Sequence, residues 1–436
     1  MANIIKNGVP WYAQHNDPVN AHAGCLIKVN NKFFLIGEYK TDKENHFIGF
    51  SKYSSPDLSN WTYEGLAFPL QKSGILGPNR IGERVKVMQV PHSKRLIMLI
   101  HADDTHYMDP YIGVAVSDDI NQEFQFKGPL LFNGEPVRKW DIGTFIDEDG
   151  TGYLITHEGN IYQLSEDYMS VVGEIATDLA PGGESPAMFR NKENYFILFS
   201  NKTSWERNDN YYLTAPTIHG PWTNKGLFCP KGTLTYNSQC SFVYLLQTDK
   251  GKVPMYMGDR WSFPKQASSA TQVWLPISVS GSDIEIKQYW ESWDWQNVLP
   301  KTDDLKKEPL KLRSNQPGDA TTVEFDGSQV IINGDTGPHG GYAQFTLTNN
   351  EEKVIQKTSI DFYSLIESTG QRYISPKLPL GHYELRIEVL GEHPVWYNKT
   401  GQIRYGSDGY FVSLSNYEVR ECQGQFKNVG FRQKEM

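Results

Sequence analysis

The sequence is most informative first in what it lacks. No uncharged apolar run approaches the roughly 18 residues that a membrane-spanning helix needs. There is no basic excess: 42 Lys and Arg stand against 51 Asp and Glu, a formal charge of -9, so no basic face for nucleic acid is expected. Cysteine is scarce, with four in 436 residues, which excludes a disulfide framework. Cys25, Cys229, Cys240 and Cys422 have no metal-ligand spacing. Cys229 and Cys240 are near enough in sequence to pair, but buried free thiols are the favoured reading. Residues 1–10 contain no h-region, so the numbered chain carries no signal peptide. The protein is then either cytoplasmic, or secreted or periplasmic with its signal removed. Helical periodicity is also hard to find anywhere along the chain.

What is abundant is aromatic. Phe, Trp and Tyr make up 13% of the chain, with 38 Gly and 24 Pro, while charged residues make up only 21%. This much apolar surface must be buried or used, which excludes disorder for most of the chain. Short β-like runs alternate with turn residues, the mark of an all-β protein. Aromatic faces stack on sugar rings, so carbohydrate is one candidate partner.

An internal repeat gives the runs an order. Five polar turns each lead straight into an apolar strand: Asn30-Asn31-Lys32, His92-Ser93-Lys94, Asp147-Glu148-Asp149-Gly150, Asn191-Lys192-Glu193-Asn194 and Thr248-Asp249-Lys250-Gly251. They recur roughly every 44 to 62 residues, the length of one four-stranded propeller blade. A second, outer turn follows in phase at Ser55-Pro56-Asp57, Ser117-Asp118-Asp119, Ser165-Glu166-Asp167, Thr217-Ile218-His219 and Ser280-Gly281-Ser282. The expected fold is therefore a five-bladed β-propeller over 1–300, its end pinned by Trp290, Trp293 and Trp295. A charged linker is expected at 301–314. A β-sandwich accessory domain is expected over 315–436, where Val330-Ile331-Ile332, Ala343 to Leu347, Tyr383 to Val389 and Tyr410 to Leu414 alternate apolar and polar residues.

Counting back from each hairpin tip reaches the head of an inner strand, which lines one mouth of a propeller's channel. The residues there are His22, Glu83, Asp141, Glu184 and Gln239. All are polar and three are carboxylates, and charges at the heads of buried strands are costly unless paired or functional. One bland reading is a set of ion pairs with Arg84, Lys86 and Arg260. The favoured reading is glycoside hydrolysis, where one carboxylic acid protonates the leaving oxygen and a base activates water on the opposite face. Crowded carboxylates raise the pKa of one of them, as a general acid near neutral pH requires.

At this point the residues resemble a known family. Asn20-Ala21-His22-Ala23-Gly24, Tyr53 to Trp61, Glu83-Arg84-Val85-Lys86-Val87, Gly113 to Asp118, Glu184-Ser185-Pro186-Ala187-Met188-Phe189, Asn237-Ser238-Gln239 and Tyr256 to Trp261 resemble glycoside hydrolase family 43, most closely its exo-β-1,3-galactanase-type branch. The resemblance implies an inverting, exo-acting hydrolase of β-1,3-galactan or related arabinogalactan glycans. It implies Glu184 as general acid, Asp141 as its pKa modulator and Glu83 as a contact to sugar hydroxyls. Most of that family carries a basic Asp in an Asp-Pro pair on the first blade, where this chain has Ala21-His22. The galactanase-like branch shares that absence and carries a Gln on the fifth blade, matched by Gln239. Gln239 would position a water or act through a rarer tautomer; Asp17 and His22 are alternative bases. Tyr107, Asn160, Trp205 and His22 are the candidate substrate contacts, with packing an equal alternative for Tyr107 and Trp205. Trp396, Tyr397 and Tyr405 form either a glycan platform or the buried interface with the propeller, and packing is the favoured reading. No cofactor and no metal is expected, although a structural calcium is possible in such propellers; His101 and His106 do not suggest a metal pair. The partner is an oligo- or polysaccharide, and the chain is expected to be a monomer. The rival readings are an arabinofuranosidase or xylosidase of the same family, and a propeller that binds glycan without cleaving it.

Overall fold

The computed structural model describes residues 3–398 and 401–421. Strands dominate, and the two α-helices, Leu234–Asn237 and Gln266–Ser269, are four residues each. No helix among the described residues is long and apolar enough to cross a membrane.

Residues 20–276 form five consecutive antiparallel meander sheets. The first comprises His22–Val29, Lys32–Glu38, Gly49–Ser55 and Thr62–Pro69. The second comprises Arg80–Gln89, Leu96–Asp104, Tyr111–Ser117 and Gln125–Pro129. The third comprises Ile142–Ile146, Gly152–Thr156, Asn160–Leu164 and Ser170–Ala176, extended beyond the meander by Leu131–Phe132, which pairs parallel with Ser170–Ala176, and by Glu135–Pro136. The fourth comprises Gly183–Arg190, Tyr195–Asn201, Tyr211–Ala215 and Thr223–Leu227. The fifth comprises Gln239–Thr248, Gly251–Arg260 and Thr271–Pro276. The five hairpin tips expected from the sequence are the turns between the first and second strand of each sheet. Four of the five outer turns also join the third strand to the next. The turn at Ser280 to Asp283 instead closes a separate two-stranded sheet, Ser278–Ser280 with Asp283–Glu285. Pro276 cannot donate to a ladder, and the fifth sheet stops there.

The first strands touch one another in sequence. His22–Val29 meets Arg80–Gln89 and Gln239–Thr248, Ile142–Ile146 meets Arg80–Gln89 and Gly183–Arg190, and Gly183–Arg190 also meets Gln239–Thr248. Alternation of side chains along a strand then places one face against each neighbouring sheet. Phe189 and Ala187 pack toward the fifth sheet with Tyr256 and Val243, whereas Met188 packs toward the third with Tyr153 and Ile155. Each pair of adjacent sheets encloses its own apolar cluster, and the fifth closes on the first through Leu26, Phe33, Leu246, Met255 and Trp274. Much of the aromatic content is used here, and Trp293 and Trp295 are buried in that last cluster.

The fifth sheet's open edge is covered by the beginning of the chain. Ile4–Lys6 pairs with Ser292–Asp294. Asn7 mimics a strand residue, donating to the Trp274 carbonyl at 2.9 Å and accepting from the Trp274 amide at 2.7 Å. Cys25, Cys229 and Cys240 are separate buried thiols; Cys422 lies outside the described residues.

The carboxy-terminal unit begins earlier than the sequence implies. Lys307–Ser314, expected within the linker, is a strand paired with Val412–Arg420. Its Leu310 is buried in the core of this unit, and alternation on an edge strand tolerates the charges between. Two four-stranded sheets enclose that core, which includes Val330, Ile332, Phe345, Leu385 and Ile387. The unit is fastened to the first five sheets by buried polar bonds. Ser262 Oγ donates to Asp361 at 2.8 Å, Tyr342 OH donates to the Ser262 carbonyl at 2.8 Å, and Tyr363 OH donates to Glu206 at 2.5 Å.

Asp259 ties the first sheet to the fifth. It accepts from the Ala23 amide at 3.0 Å and from Gln272 at 3.1 Å, and it lies 3.2 Å from His22 Nδ1. Asp259→Ala leaves the buried His22 and the Ala23 amide without their acceptor. A loss of about 3 kcal/mol or more in urea denaturation is expected, against about 1 kcal/mol if the contact is incidental.

Candidate active site

The heads of the first strands do not run as regular ladders. Register breaks fall between His22 and Cys25, Glu83 and Lys86, Glu184 and Ala187, and Cys240 and Phe242. A bulge inserts a residue and re-aims its neighbours. Ala23, Arg84 and Ser185 hold φ of +44°, +52° and +56°, a left-handed backbone that costs a non-glycine residue about 1–3 kcal/mol. The cost is offset by an acceptor on the bulge amide, supplied by the preceding sheet. Glu38 Oε1 accepts from Arg84 N at 2.8 Å, Asp141 Oδ2 from Ser185 N at 2.8 Å, Asn210 Oδ1 from Cys240 N at 2.9 Å, and Asp259 Oδ2 from Ala23 N at 3.0 Å.

Several of these groups converge on one cavity of about 290 Å³. Four acids line it: Glu38, Glu83, Asp141 and Glu184. Its walls include Tyr107, Trp140, Trp205, Trp261 and Tyr397, with Arg84, His101 and Gln239 among the polar groups. Arg84 sits at the centre. Its Nε lies 3.4 Å from Asp141 Oδ1 and its Nη2 donates to Gln239 Oε1 at 2.8 Å.

The environments drive the two glutamates apart. Burial, reinforced by the negative charge of Asp141, pushes the Glu184 carboxyl up to about 8, despite Arg84, Lys202 and Gln239. Glu184 is therefore protonated at neutral pH. Burial also opposes ionisation of Glu83, but contacts with His101, Lys40 and Asn45 outweigh it and hold this carboxyl well below the usual range. Glu83 Oε1 accepts from Asn45 Nδ2 at 2.7 Å and from Tyr107 OH at 2.8 Å. One acid holds a proton and another is ionised within the same cavity, as general acid catalysis requires.

Gln239 is fully engaged. Its oxygen accepts from Arg84 and, at 2.8 Å, from Trp261 Nε1; its nitrogen donates to Glu184 Oε1 at 3.0 Å and Ser200 Oγ at 2.9 Å. All four hydrogen-bonding positions of the amide are used. Gln239 holds a water only by exchanging one of these bonds, and its first effect is to fix Glu184.

Glu83, His101 and Asp141 bring possible ligand atoms within 4.8 Å of one another, the geometry a metal ion would need. Burial opposes protonation of His101, but Asp103 and Glu83 outweigh it and raise its pKa to about 9. A protonated imidazole is not a ligand, and Arg84 already faces Asp141. The cluster is charge-balanced by the protein's own groups.

The other expected contacts divide. Tyr107 and Trp205 line the cavity, and Trp205 also stacks on Phe263 with ring centroids 5.8 Å apart. His22 and Asn160 do not line it. His22 is fully buried against Asp259, and Asn160 is buried with its amide donating to the His157 carbonyl at 2.7 Å. Their strand-head and loop positions match the repeat, but the side chains turn into protein. The alternative bases His22 and Asp17 therefore lie outside the cavity. Lys86 and Arg260, considered as ion-pair partners, donate mainly to backbone carbonyls.

The sequence reading did not recognise that a second ring of residues faces the strand heads. Glu38, His101, Ser200 and Asp259 lie directly across the ladder from His22, Glu83, Glu184 and Gln239. Their signal was present: each is the polar residue that ends the apolar run of a second strand, as in Phe33-Phe34-Leu35-Ile36-Gly37-Glu38. Trp140 and Trp261, which wall the cavity, carried no such positional mark.

Comparison with known proteins agrees with this chemistry. Residues 26–227 match the family model for glycosyl hydrolases family 43. A Bifidobacterium bifidum s17 protein assigned as an exo-β-1,3-galactanase is 32% identical, over 64% of this chain and 95% of its own, with a TM-score of 0.60. The exo-β-1,3-galactanase of Phanerochaete chrysosporium in complex with galactose shares the fold at 20% identity, over 95% of this chain and 99% of its own, with a TM-score of 0.69. An exo-β-1,3-galactanase from Clostridium thermocellum does so at 21% identity, over 96% and 87%, with a TM-score of 0.63. No curated protein sequence matches the chain. With a protonated glutamate set beside an ionised partner in an aromatic-walled cavity, and with these likenesses, the chain belongs to glycosyl hydrolases family 43 and is a glycoside hydrolase.

Proposed function

We propose that this glycoside hydrolase removes terminal galactose from β-1,3-galactan or related arabinogalactan glycans with inversion, using Glu184 as general acid. The observation that carries the acid assignment is the raised Glu184 carboxyl, set beside Asp141 and held by Gln239. The five meander sheets are read as blades of a five-bladed propeller spanning 1–300, and the carboxy-terminal unit as a β-sandwich that acts with it. The substrate reading rests on the galactanases named above, most of all on the 32% identical Bifidobacterium protein.

In this reading the terminal sugar enters the cavity with its hydroxyls toward Glu83, whose carboxylate is ionised and fixed by Asn45 and Tyr107. The Glu184 proton passes to the glycosidic oxygen as its bond to C1 breaks. A water attacks C1 from the opposite face and releases a proton to solvent at the cavity mouth, so the freed sugar carries the inverted configuration, and the Glu184 carboxylate takes up a proton from solvent for the next turnover. Desolvation, reinforced by the Asp141 charge, keeps Glu184 protonated until then, and Asp141 also fixes the adjacent backbone through the Ser185 amide. Asp141 thus acts on the substrate only through Glu184. The aromatic walls present apolar faces to the sugar ring.

Glu184→Gln is expected to lower kcat on β-1,3-galactan by about 10³-fold while galactose binding persists; a variant that keeps full activity contradicts the acid assignment. Proton NMR of early product should show α-galactose first, and initial β-galactose contradicts inversion. Activity should fall as pH rises through about 8, where Glu184 loses its proton. In Asp141→Asn the amide oxygen still accepts from Ser185 but the negative charge is gone. The Glu184 pKa then drops, and the alkaline limb of kcat/KM moves down by about one pH unit or more. An unmoved limb contradicts the role given to Asp141.

A further inference from the structure

The cavity described above is not lined by the five sheets alone. Tyr397 belongs to the carboxy-terminal unit, and it lines the same cavity as Glu184. It is carried on a small hairpin, Val395–Tyr397 paired with Arg404–Gly406. Its neighbours Trp396 and Tyr405 pack within the protein, as the sequence suggested for all three. Trp396 is buried and stacks on Tyr405 with centroids 5.9 Å apart and planes 9° from parallel. Tyr397, next along the strand, points to the other face and is 58% exposed.

The hairpin is anchored rather than loosely apposed. Trp396 meets Tyr363 edge-on at 6.5 Å, and Tyr363 OH donates to Glu206, the neighbour of cavity-lining Trp205. Gly406 has φ of +89°, and a Cβ there would meet the Pro394 carbonyl at 2.3 Å and the Trp396 ring at 3.0 Å. Only glycine lets the second strand close over Trp396 in this way. Tyr397 and Trp205 are thus held by one network that crosses between the two units.

Depth assigns Tyr397 a place along a bound glycan. Glu83 is 7% exposed, Asp141 6% and Gln239 2%, and they surround the half-buried Glu184, which sets this cluster on the floor. Tyr397 stands at the mouth. A chain that enters with its terminal sugar on the floor directs its leaving part past the mouth. We propose that Tyr397 is a specificity-determining residue that stacks on the leaving-side sugar, so that the carboxy-terminal unit completes the active site for oligosaccharides. This rests on the exo-galactanase reading and adds to it the residue that selects for a sugar beyond the cleaved bond.

The test compares two substrates of the full-length protein. In β-galactosyl fluoride the leaving group is too small to reach Tyr397; in β-1,3-galactotriose the leaving part is a disaccharide. Tyr397→Ala is expected to raise KM for the trisaccharide roughly tenfold with kcat little changed, and to leave kcat/KM on the fluoride within about twofold. Tyr397→Phe keeps the ring and should match the unaltered protein on both. Equal losses on the two substrates, or no loss on the trisaccharide, overturn the proposal. A protein that fails on the trisaccharide before any substitution contradicts the galactan reading instead. The same ratio, taken on the oligosaccharide it does cleave and the matching glycosyl fluoride, then decides the place of Tyr397.

Discussion

A buried backbone amide at or beside a bulge, held by an acceptor from the preceding sheet, is the interaction on which the site depends. It occurs at four junctions: Asp259 to Ala23, Glu38 to Arg84, Asp141 to Ser185, and Asn210 to Cys240. Each bond joins two sheets that are otherwise linked mainly by apolar contact. At Ala23, Arg84 and Ser185 the bond also stabilises a positive φ that the residue would not adopt alone. The bulge in turn aims the adjacent strand-head side chain. Stability and the placement of Glu83, Glu184 and Gln239 therefore have one source.

The same acceptors set the charges. Asp141 holds the Ser185 amide and faces Arg84, and its negative charge adds to desolvation in keeping Glu184 protonated. Glu38 holds the Arg84 amide and pairs with Lys40, and the same lysine helps keep Glu83 ionised. Two glutamates at equivalent positions of the second and fourth sheets thus take opposite protonation states. Chemistry of this kind needs such a division, and here it follows from which neighbour each carboxyl meets rather than from the residues themselves.

The parts of this arrangement differ in how plainly the sequence shows them. The hairpin tips were legible because a polar turn beside an apolar strand is a local pattern, and five copies in phase are hard to produce by chance. The strand-head residues were legible through that repeat. Whether a strand-head side chain faces the cavity was not: His22 occupies the same place as Glu83 but turns to Asp259, a partner 237 residues away. The strand at Lys307–Ser314 was hidden because its charges face solvent and its buried residues are few. Tyr397 was visible as an aromatic residue with two readings, a glycan platform or packing, and the sequence favoured packing. Its neighbours do pack, and only the docking of the hairpin distinguishes the one aromatic residue that faces the cavity.

The central claim is that Glu184 carries a proton at neutral pH because of where it is fastened. It is tested most directly by titrating that carboxyl with isotope-edited infrared spectroscopy, taking Glu184→Gln as the difference reference. The account predicts that the protonated carboxyl band of Glu184 persists through pH 7 and disappears with a midpoint near 8. A midpoint at the ordinary glutamate value of about 4.3 would contradict it.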